Sequence, residues 1–257
     1  MNAPVLFEAR GAVGVITLSR PRRRNAIDAA MSEALAAAIN RLEGDPALRV
    51  GVLAGEGPVF CAGMDLAAFT DGAHEGILFG PGGVGGLTER ARAKPLIAAV
   101  HGAAVAGGFE LALACDMIVA EEGARFGLPE VARGLIAGAG GALRLASLIP
   151  PARAREILLT GRLFDTTEAW ELGLLSRRCP PGEGLPSALD LAREIAAQAP
   201  LAIRNTLAAS RLSDGFVHDE ALFAGNRRLL EECLESEDAR EGARAFLERR
   251  PPRWAGR

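Results

Sequence analysis

The sequence is short of almost everything from which metal sites, disulfide frameworks and membrane spans are built. Its three histidines, His74, His101 and His218, show no ligand-like spacing, so no histidine metal site is read. The four cysteines, Cys61, Cys115, Cys179 and Cys233, lie far apart with no CxxC pair and read as reduced, mostly buried thiols of a cytoplasmic protein. No stretch of roughly 18 residues is apolar throughout without a charge or a helix breaker, so no transmembrane helix is expected. The N-terminal MNAPVLFEARGAVG carries Glu8 and no long apolar run, unlike a signal peptide. Lysine is nearly missing, with Lys94 its sole example. The formal net charge is −3 with the two signs interspersed, which argues against a nucleic-acid surface. There is no internal repeat. The glycine-rich DGAHEGILFGPGGVGGL (71–87) has no strand leading into it and no βαβ unit after it, so a dinucleotide fingerprint is excluded.

What is present predicts an α/β protein with a helical C-terminal part. Apolar residues make up 49% of the 257, enough for a substantial core. Glycine, at 31 residues, is well above the roughly 7% average, so the backbone turns tightly or approaches other groups often. VLFEA and AVGVITLS flank Arg10-Gly11 as a β-hairpin. Asp28 is placed to cap a helix running to about Leu42, with Met31, Leu35, Ile39 and Leu42 on one face and Gly44 beyond its end. Buried strands are expected over Arg49 to Gly55, Pro95 to Val100 and Asp116 to Ala120, with a helix over Leu87 to Ala93. Residues 71–87 read as a loop, a lid carrying Ile77, Leu78 and Phe79. After Pro150 helices dominate, broken by a strand in LLSRRC. This gives a core over 1–195 and a helical region over 196–257. In the latter Leu207, Phe216, Leu222, Phe223, Leu229, Leu230 and Phe246 need burial, part of it against another subunit.

The candidate chemistry gathers around AAVHGAAVAGGFELALACD (98–116). A strand gives way to a helix starting near Gly107, where unpaired N–H groups and the positive end of the helix dipole attract negative charge. Glycines there let another group approach closely, and one turn in Glu110 sits among Phe109, Leu111 and Leu113. An anion-seeking backbone beside a desolvated carboxylate suits chemistry on a thioester carbonyl. Gly63, between Phe60-Cys61-Ala62 and Met64-Asp65, again permits close backbone approach, and Cys61 has no base beside it to make it a nucleophile. Glu130 follows Pro129, and Gly138, Gly140 and Gly141 lead into another helix. Arg22, Arg23 and Arg24 form either a solvated loop or a phosphate-contacting one. Each feature alone has a plain structural reading: a capping carboxylate, a surface charge, a tight turn.

Taken together, RPxxxNA (Arg20 to Ala26), FCAGxDL (Phe60 to Leu66), AAVHGxAxxGGxELALACD (Ala98 to Asp116), FGxPE (Phe126 to Glu130) and GLIxGAGGxxRL (Gly134 to Leu145) resemble the enoyl-CoA hydratase/isomerase, or crotonase, superfamily. The order and spacing hold along nearly the whole chain, to FLERRxPxW (Phe246 to Trp254). The resemblance implies a crotonase-like ββα spiral core with a C-terminal helical region, assembled as a homotrimer or dimer of trimers. It implies a coenzyme A thioester as substrate, no separate cofactor and no metal. By motif position it implies an oxyanion hole from the amides of Ala62 and Gly107, and Glu110 and Glu130 as the residues that handle water and proton. Gly138 would offer its N–H near the second glutamate or the water. Ala62, Gly63, Met64, Asp65 and Gly107 would lie along the CoA ester, with Arg22 at its phosphates and Arg249 or Arg250 reaching a neighbouring subunit's CoA.

Both glutamate positions are filled, which favours hydration of a 2-enoyl-CoA over a double-bond shift. An isomerase, a carnitinyl-CoA dehydratase and a non-catalytic acyl-CoA-binding protein are the alternatives; FELALA followed by GLPE resembles the carnitinyl- and crotonobetainyl-CoA hydratases. The chain departs from the family pattern at His101 (usually Asn), at Ala137 (commonly Pro) and at Phe109 (often smaller). Phe109 and Met64 either narrow the acyl pocket or pack in the core.

Overall fold

The computed structural model describes residues 3–65, 74–213, 224, 227, 231 and 234–253. The chain enters as the expected hairpin, β1 (Val5–Arg10) against β2 (Val13–Leu18), turned at Gly11 with φ +63°. Helix α1 (Ala29–Gly44) follows, its N-terminus capped by Asp28, which accepts from the Met31 amide at 2.8 Å. Met31, Leu35, Ile39 and Leu42 are all fully buried, so the apolar stripe read from the sequence is the face that meets the core. The chain then runs through β3 (Val50–Gly55), the short α2 (His74–Leu78), β4 (Leu96–Val100), β5 (Ala103–Val105), α3 (Gly107–Leu113), β6 (Met117–Glu121) and β7 (Arg125–Gly127). Next come α4 (Gly141–Leu148), α5 (Pro151–Thr160), β8 (Phe164–Asp165), α6 (Thr166–Glu171), β9 (Arg177–Cys179), α7 (Gly184–Ala196), α8 (Pro200–Ser213) and α9 (Glu237–Leu247).

The main sheet has the order β1-β2-β3-β4-β6-β9, parallel throughout except for the β1–β2 hairpin. A parallel sheet is covered on both faces, which is why β4, LIAAV, is buried at every residue. Its side chains alternate: Leu96, Ala98 and Val100 join the larger core beneath α1, while Ile97 and Ala99 meet Ala188, Leu189 and Ala192 of α7. A second sheet, β5-β7-β8, is short and stands beside the helix that carries the first glutamate.

Two expectations change here. No helix forms over Leu87 to Ala93; a 3-10 turn at Val84–Gly86 is followed by turns. Gly82, Gly83, Gly85 and Gly86 all take positive φ, and Arg92 is drawn inward to Asp116, 2.9 Å away. Backbone flattened onto α1 cannot wind into a helix before Pro95 stops it. Within the 71–87 loop Ile77 is fully buried in the main core, so this part is anchored rather than poised as a lid. Residues 71–73, Leu66, Phe216, Leu222, Phe223, Leu229, Leu230 and Trp254 lie outside the described residues. Among the described residues no helix is long and apolar enough to cross a membrane.

Candidate active site

The site begins with a buried asparagine. Asn25 sits at φ +54°, a left-handed conformation that Asn tolerates better than most side chains, and its amide is fully enclosed. Its Nδ2 donates to the carbonyls of Glu56, Val59 and Phe60, and its Oδ1 accepts from the Arg20 amide. Arg20 ties the same loop down through Asp28 at 2.8 Å and Asp65 at 3.4 Å. The RPxxxNA segment is therefore a clamp on the loop that carries Cys61 to Asp65. Arg22, Arg23 and Arg24 are exposed on its outside, Arg22 and Arg23 within a 3-10 turn, Pro21–Arg23.

That loop is hydrogen-bonded residue by residue. Phe60 and Cys61 donate to His101 and Ala103, Ala62 donates to the Arg24 carbonyl at 3.0 Å, and Asp65 donates to Ile27. The Ala62 amide is thus consumed inside the protein, which corrects its expected place in the oxyanion hole. Among the described residues the Met64 amide, two residues on, has no protein acceptor, and neither has that of Gly107 at the start of α3. These two segments are in close contact. A Cβ built on Gly107 would fall 3.5 Å from the Met64 nitrogen, and one on Gly63 (φ +94°) 3.2 Å from the Gly107 nitrogen. On Gly108 it would meet the Cys61 carbonyl oxygen at 2.2 Å, so glycine is required there for helix and loop to touch. Ala106, just before the helix, is held at φ +51°, ψ −133°, a strained setting for a residue with a Cβ.

Glu110 lies one turn into α3, 4% exposed, with Oε1 accepting from the Gly141 amide at 2.9 Å. Burial raises its pKa to about 7, against the opposing pull of Gly141, the Arg144 guanidinium and the Ala139 amide. Glu130 stands on a 3-10 turn, Pro129–Arg133, and both of its carboxyl oxygens are buried with no hydrogen-bond partner. Its pKa is raised well above the usual carboxylate range, by burial first and then by the charge of Glu110. The structure therefore brings the two glutamates within electrostatic reach of each other. Gly138 lies in the same buried turn as Gly141, but it is Gly141 that binds a glutamate, and Glu130 accepts no bond from Gly138. The turn bearing Glu130 is pressed against α9: a Cβ on Gly242 would lie 2.2 Å from the Arg133 carbonyl oxygen, and one on Gly134 2.7 Å from the Asp238 backbone. Met64 and Leu135 pack on Ala239 and Ala243 of that helix.

Other candidates resolve into structural roles. Phe109 packs into a buried trio with Phe126 and Phe164, with centroids 5.5 and 5.8 Å from its own. His101 Nε2 is 2.9 Å from the Gly57 carbonyl oxygen. The Cys61 thiol bonds the Asn25 carbonyl, and burial pushes it up to about 12, so it is no nucleophile at neutral pH. The Asp65 carboxylate is held by Arg20, and Arg250 is paired with Glu241 and Glu248. Among the described residues no cluster of His, Cys, Asp or Glu is arranged to hold a metal. Sequence reasoning placed Met64 along the CoA ester without singling out its amide, and it gave Asn25 and Arg144, fixed letters of RPxxxNA and GLIxGAGGxxRL, no role of their own.

The spiral of parallel strands, the paired free amides and the two buried glutamates define a class: the chain belongs to the enoyl-CoA hydratase/isomerase family, whose model matches residues 8–257. Its particular relatives lie on two sides of that family. It is 41% identical to the carnitinyl-CoA dehydratase of Proteus mirabilis over 262 residues, covering all of both chains. Among solved structures it is similar to a carnitinyl-CoA hydratase from Mycobacterium avium (TM-score 0.92, 39% identity) and an enoyl-CoA hydratase from Mycobacterium tuberculosis (TM-score 0.80, 47% identity), each covered in full, as is this chain.

Proposed function

We propose that the protein adds water reversibly across the double bond of a 2-enoyl-CoA thioester. The observation that carries this reading is the pair of buried glutamates, one raised by the other, together with two amides that have no protein acceptor among the described residues. In the proposed reaction the Met64 and Gly107 amides hold the thioester oxygen, which becomes an enolate oxygen as water attacks the β-carbon. Preorganised donors in a dry site contribute most where charge develops, and losing one typically costs about 10²- to 10³-fold in rate. The asymmetry between the glutamates supports one division of their roles. Glu110 has an N–H donor and a guanidinium favouring its anion, so it takes the proton from water. Glu130 has neither hydrogen bond nor a comparable cation, so it holds the proton that passes to the α-carbon. One O–H bond of water, the Glu130 O–H bond and the π bond of the C=C double bond break. A C–O bond, a C–H bond and the Glu110 O–H bond form, and the pair's proton redistributes before the next turnover. The reverse sequence dehydrates a 3-hydroxyacyl-CoA.

The full-length similarity to carnitinyl-CoA dehydratases supports a second reading, in which the same steps act on an acyl group bearing a quaternary ammonium. Loss of enoyl absorbance is followed with crotonyl-CoA, longer 2-enoyl-CoAs and crotonobetainyl-CoA, with a 3-enoyl-CoA to detect isomerisation. Turnover of the simple enoyl esters upholds the first reading, and turnover of crotonobetainyl-CoA alone upholds the second. Turnover of neither overturns both. Exposed Val131, Leu159, Leu163 and Trp170 fit the assembly of several subunits that the family resemblance implies.

A further inference from the structure

Behind Glu110 lies the buried arginine whose guanidinium favours its anion. Arg144, on the first turn of α4, is 9% exposed. Its Nη1 donates to the Ala139 carbonyl at 3.3 Å, its Nη2 donates to the Thr88 carbonyl, and its backbone amide donates to Gly140 at 2.9 Å. It therefore grips the Ala139–Gly141 turn from inside, and that turn supplies the Gly141 amide to Glu110. The glycines make room on both sides. A Cβ on Gly140 (φ +91°) would fall 2.2 Å from Arg144 Nη1, and one on Gly141 would fall 2.8 Å from Glu110 Oε1. A side chain at either position would separate the guanidinium, the turn and the carboxylate.

A guanidinium taken out of water needs compensating charge as well as acceptors. Among the described groups around it one anion leads. Arg92 is a like charge and is itself bound to Asp116, Glu89 is paired with Arg227, and the Cys115 thiol is pushed up to about 12 and stays neutral. Glu110 is the chief anion within its reach, and burial brings the arginine down only to about 10, so it remains charged at neutral pH. Glu130 feels Glu110 and Arg133 but has no such partner.

Resting on the acid–base reading of the glutamate pair, we propose that Arg144 is a positioning residue that braces the Ala139–Gly141 turn and keeps the pair's negative charge on Glu110 rather than Glu130. It touches no reacting atom; it acts through Glu110.

The test compares Arg144→Gln and Arg144→Met, both neutral, with Arg144→Lys, which keeps the charge but not the forked bonding. Buried carboxyl groups are titrated by infrared difference spectroscopy on the free protein, with Glu110→Gln assigning the band, and kcat and KM are followed against pH. Either neutral variant should raise the Glu110 titration and the acid limb of kcat by about one pH unit or more. For a one-unit shift, kcat at pH 7 falls about fivefold with KM for the CoA ester near the wild-type value. Arg144→Lys should hold the profile near the wild-type position while kcat drops. Arg90→Gln, which removes a neighbouring guanidinium that makes no bond to the turn, should change neither. A Glu110 titration that stays put in both neutral variants, or that moves equally in the lysine variant, overturns the proposal. The infrared arm needs no substrate, so it decides the role of Arg144 even if the wild type turns over no enoyl-CoA.

Discussion

Glu110 and Glu130 sense each other's charge, yet they are held in opposite ways. The first accepts the Gly141 amide at 2.9 Å, and the second is buried with both oxygens unmatched. Two carboxyl groups in one environment would compete for the same state. Here burial raises both, while the difference in partners favours the anion on Glu110 over that on Glu130.

Replacing either glutamate by glutamine removes one proton-transfer step while keeping shape. Each variant should lose about 10²- to 10⁴-fold in kcat with little change in KM, measured on whichever enoyl-CoA the wild type hydrates. Equal activity in Glu130→Gln would exclude it as the proton donor.

The pair also sets a pH dependence of stability. Both folded-state values lie above the ordinary 4.5, so the folded chain keeps protons that the unfolded chain releases. This contribution is complete below 4.5 and is lost as pH rises, through about 7 for Glu110 and through the raised pKa of Glu130. Denaturant midpoints of the wild type should therefore fall between pH 5 and 8 more steeply than those of the Glu110→Gln/Glu130→Gln double variant. Parallel curves would mean that the two groups are not burdened by burial.

Gly63→Ala should cripple catalysis without emptying the CoA site. At φ +94° an added Cβ is strained and crowds the Val105 carbonyl oxygen at 3.0 Å and the Gly107 nitrogen at 3.2 Å. Separating the Met64 amide from the Gly107 amide should lower kcat by about 10²-fold or more. Isothermal titration with a saturated acyl-CoA should show affinity largely kept.

Ala106→Gly should stabilise the protein. Strain at its positive φ costs about 1–3 kcal/mol, and glycine's greater freedom in the unfolded chain returns about 0.5–1 of that. The net gain of about 1 kcal/mol should raise Tm by about 2–4 °C. A lower Tm would show that the Ala106 methyl, packed beside Gly63, matters more than the strain.

The fold was legible where one residue type has one use. Asp28 capped its helix, the stripe from Met31 to Leu42 was buried, and both glutamates came together. The error at Ala62 has a definite cause. Motif spacing locates a loop, but which amide in it is free depends on which carbonyl crosses from elsewhere, here that of Arg24, 38 residues earlier and itself at φ +52°. Arg144 stood in the GLIxGAGGxxRL motif, but its burial was not legible for a similar reason. It stands in an amphipathic helix like any surface arginine, and only the tertiary fold turns it inward beneath Glu110. Phe109, at a position where the family often has a smaller residue, drew attention as a pocket-shaping residue, and the opening filled by Phe126 and Phe164 lies in the second sheet, which the sequence pattern did not reveal.

The contact between the Glu130 turn and α9 ties together the fates of two segments about a hundred residues apart. Neither Gly134 nor Gly242 can gain so much as a methyl group without displacing backbone in the opposite segment. Change in α9 is thereby coupled to the placement of Glu130, the acid of the proposed reaction. Tags, fusions and shortened versions that disturb Ser236 to Leu247 would be felt first in turnover, before any change in the bulk of the sheet.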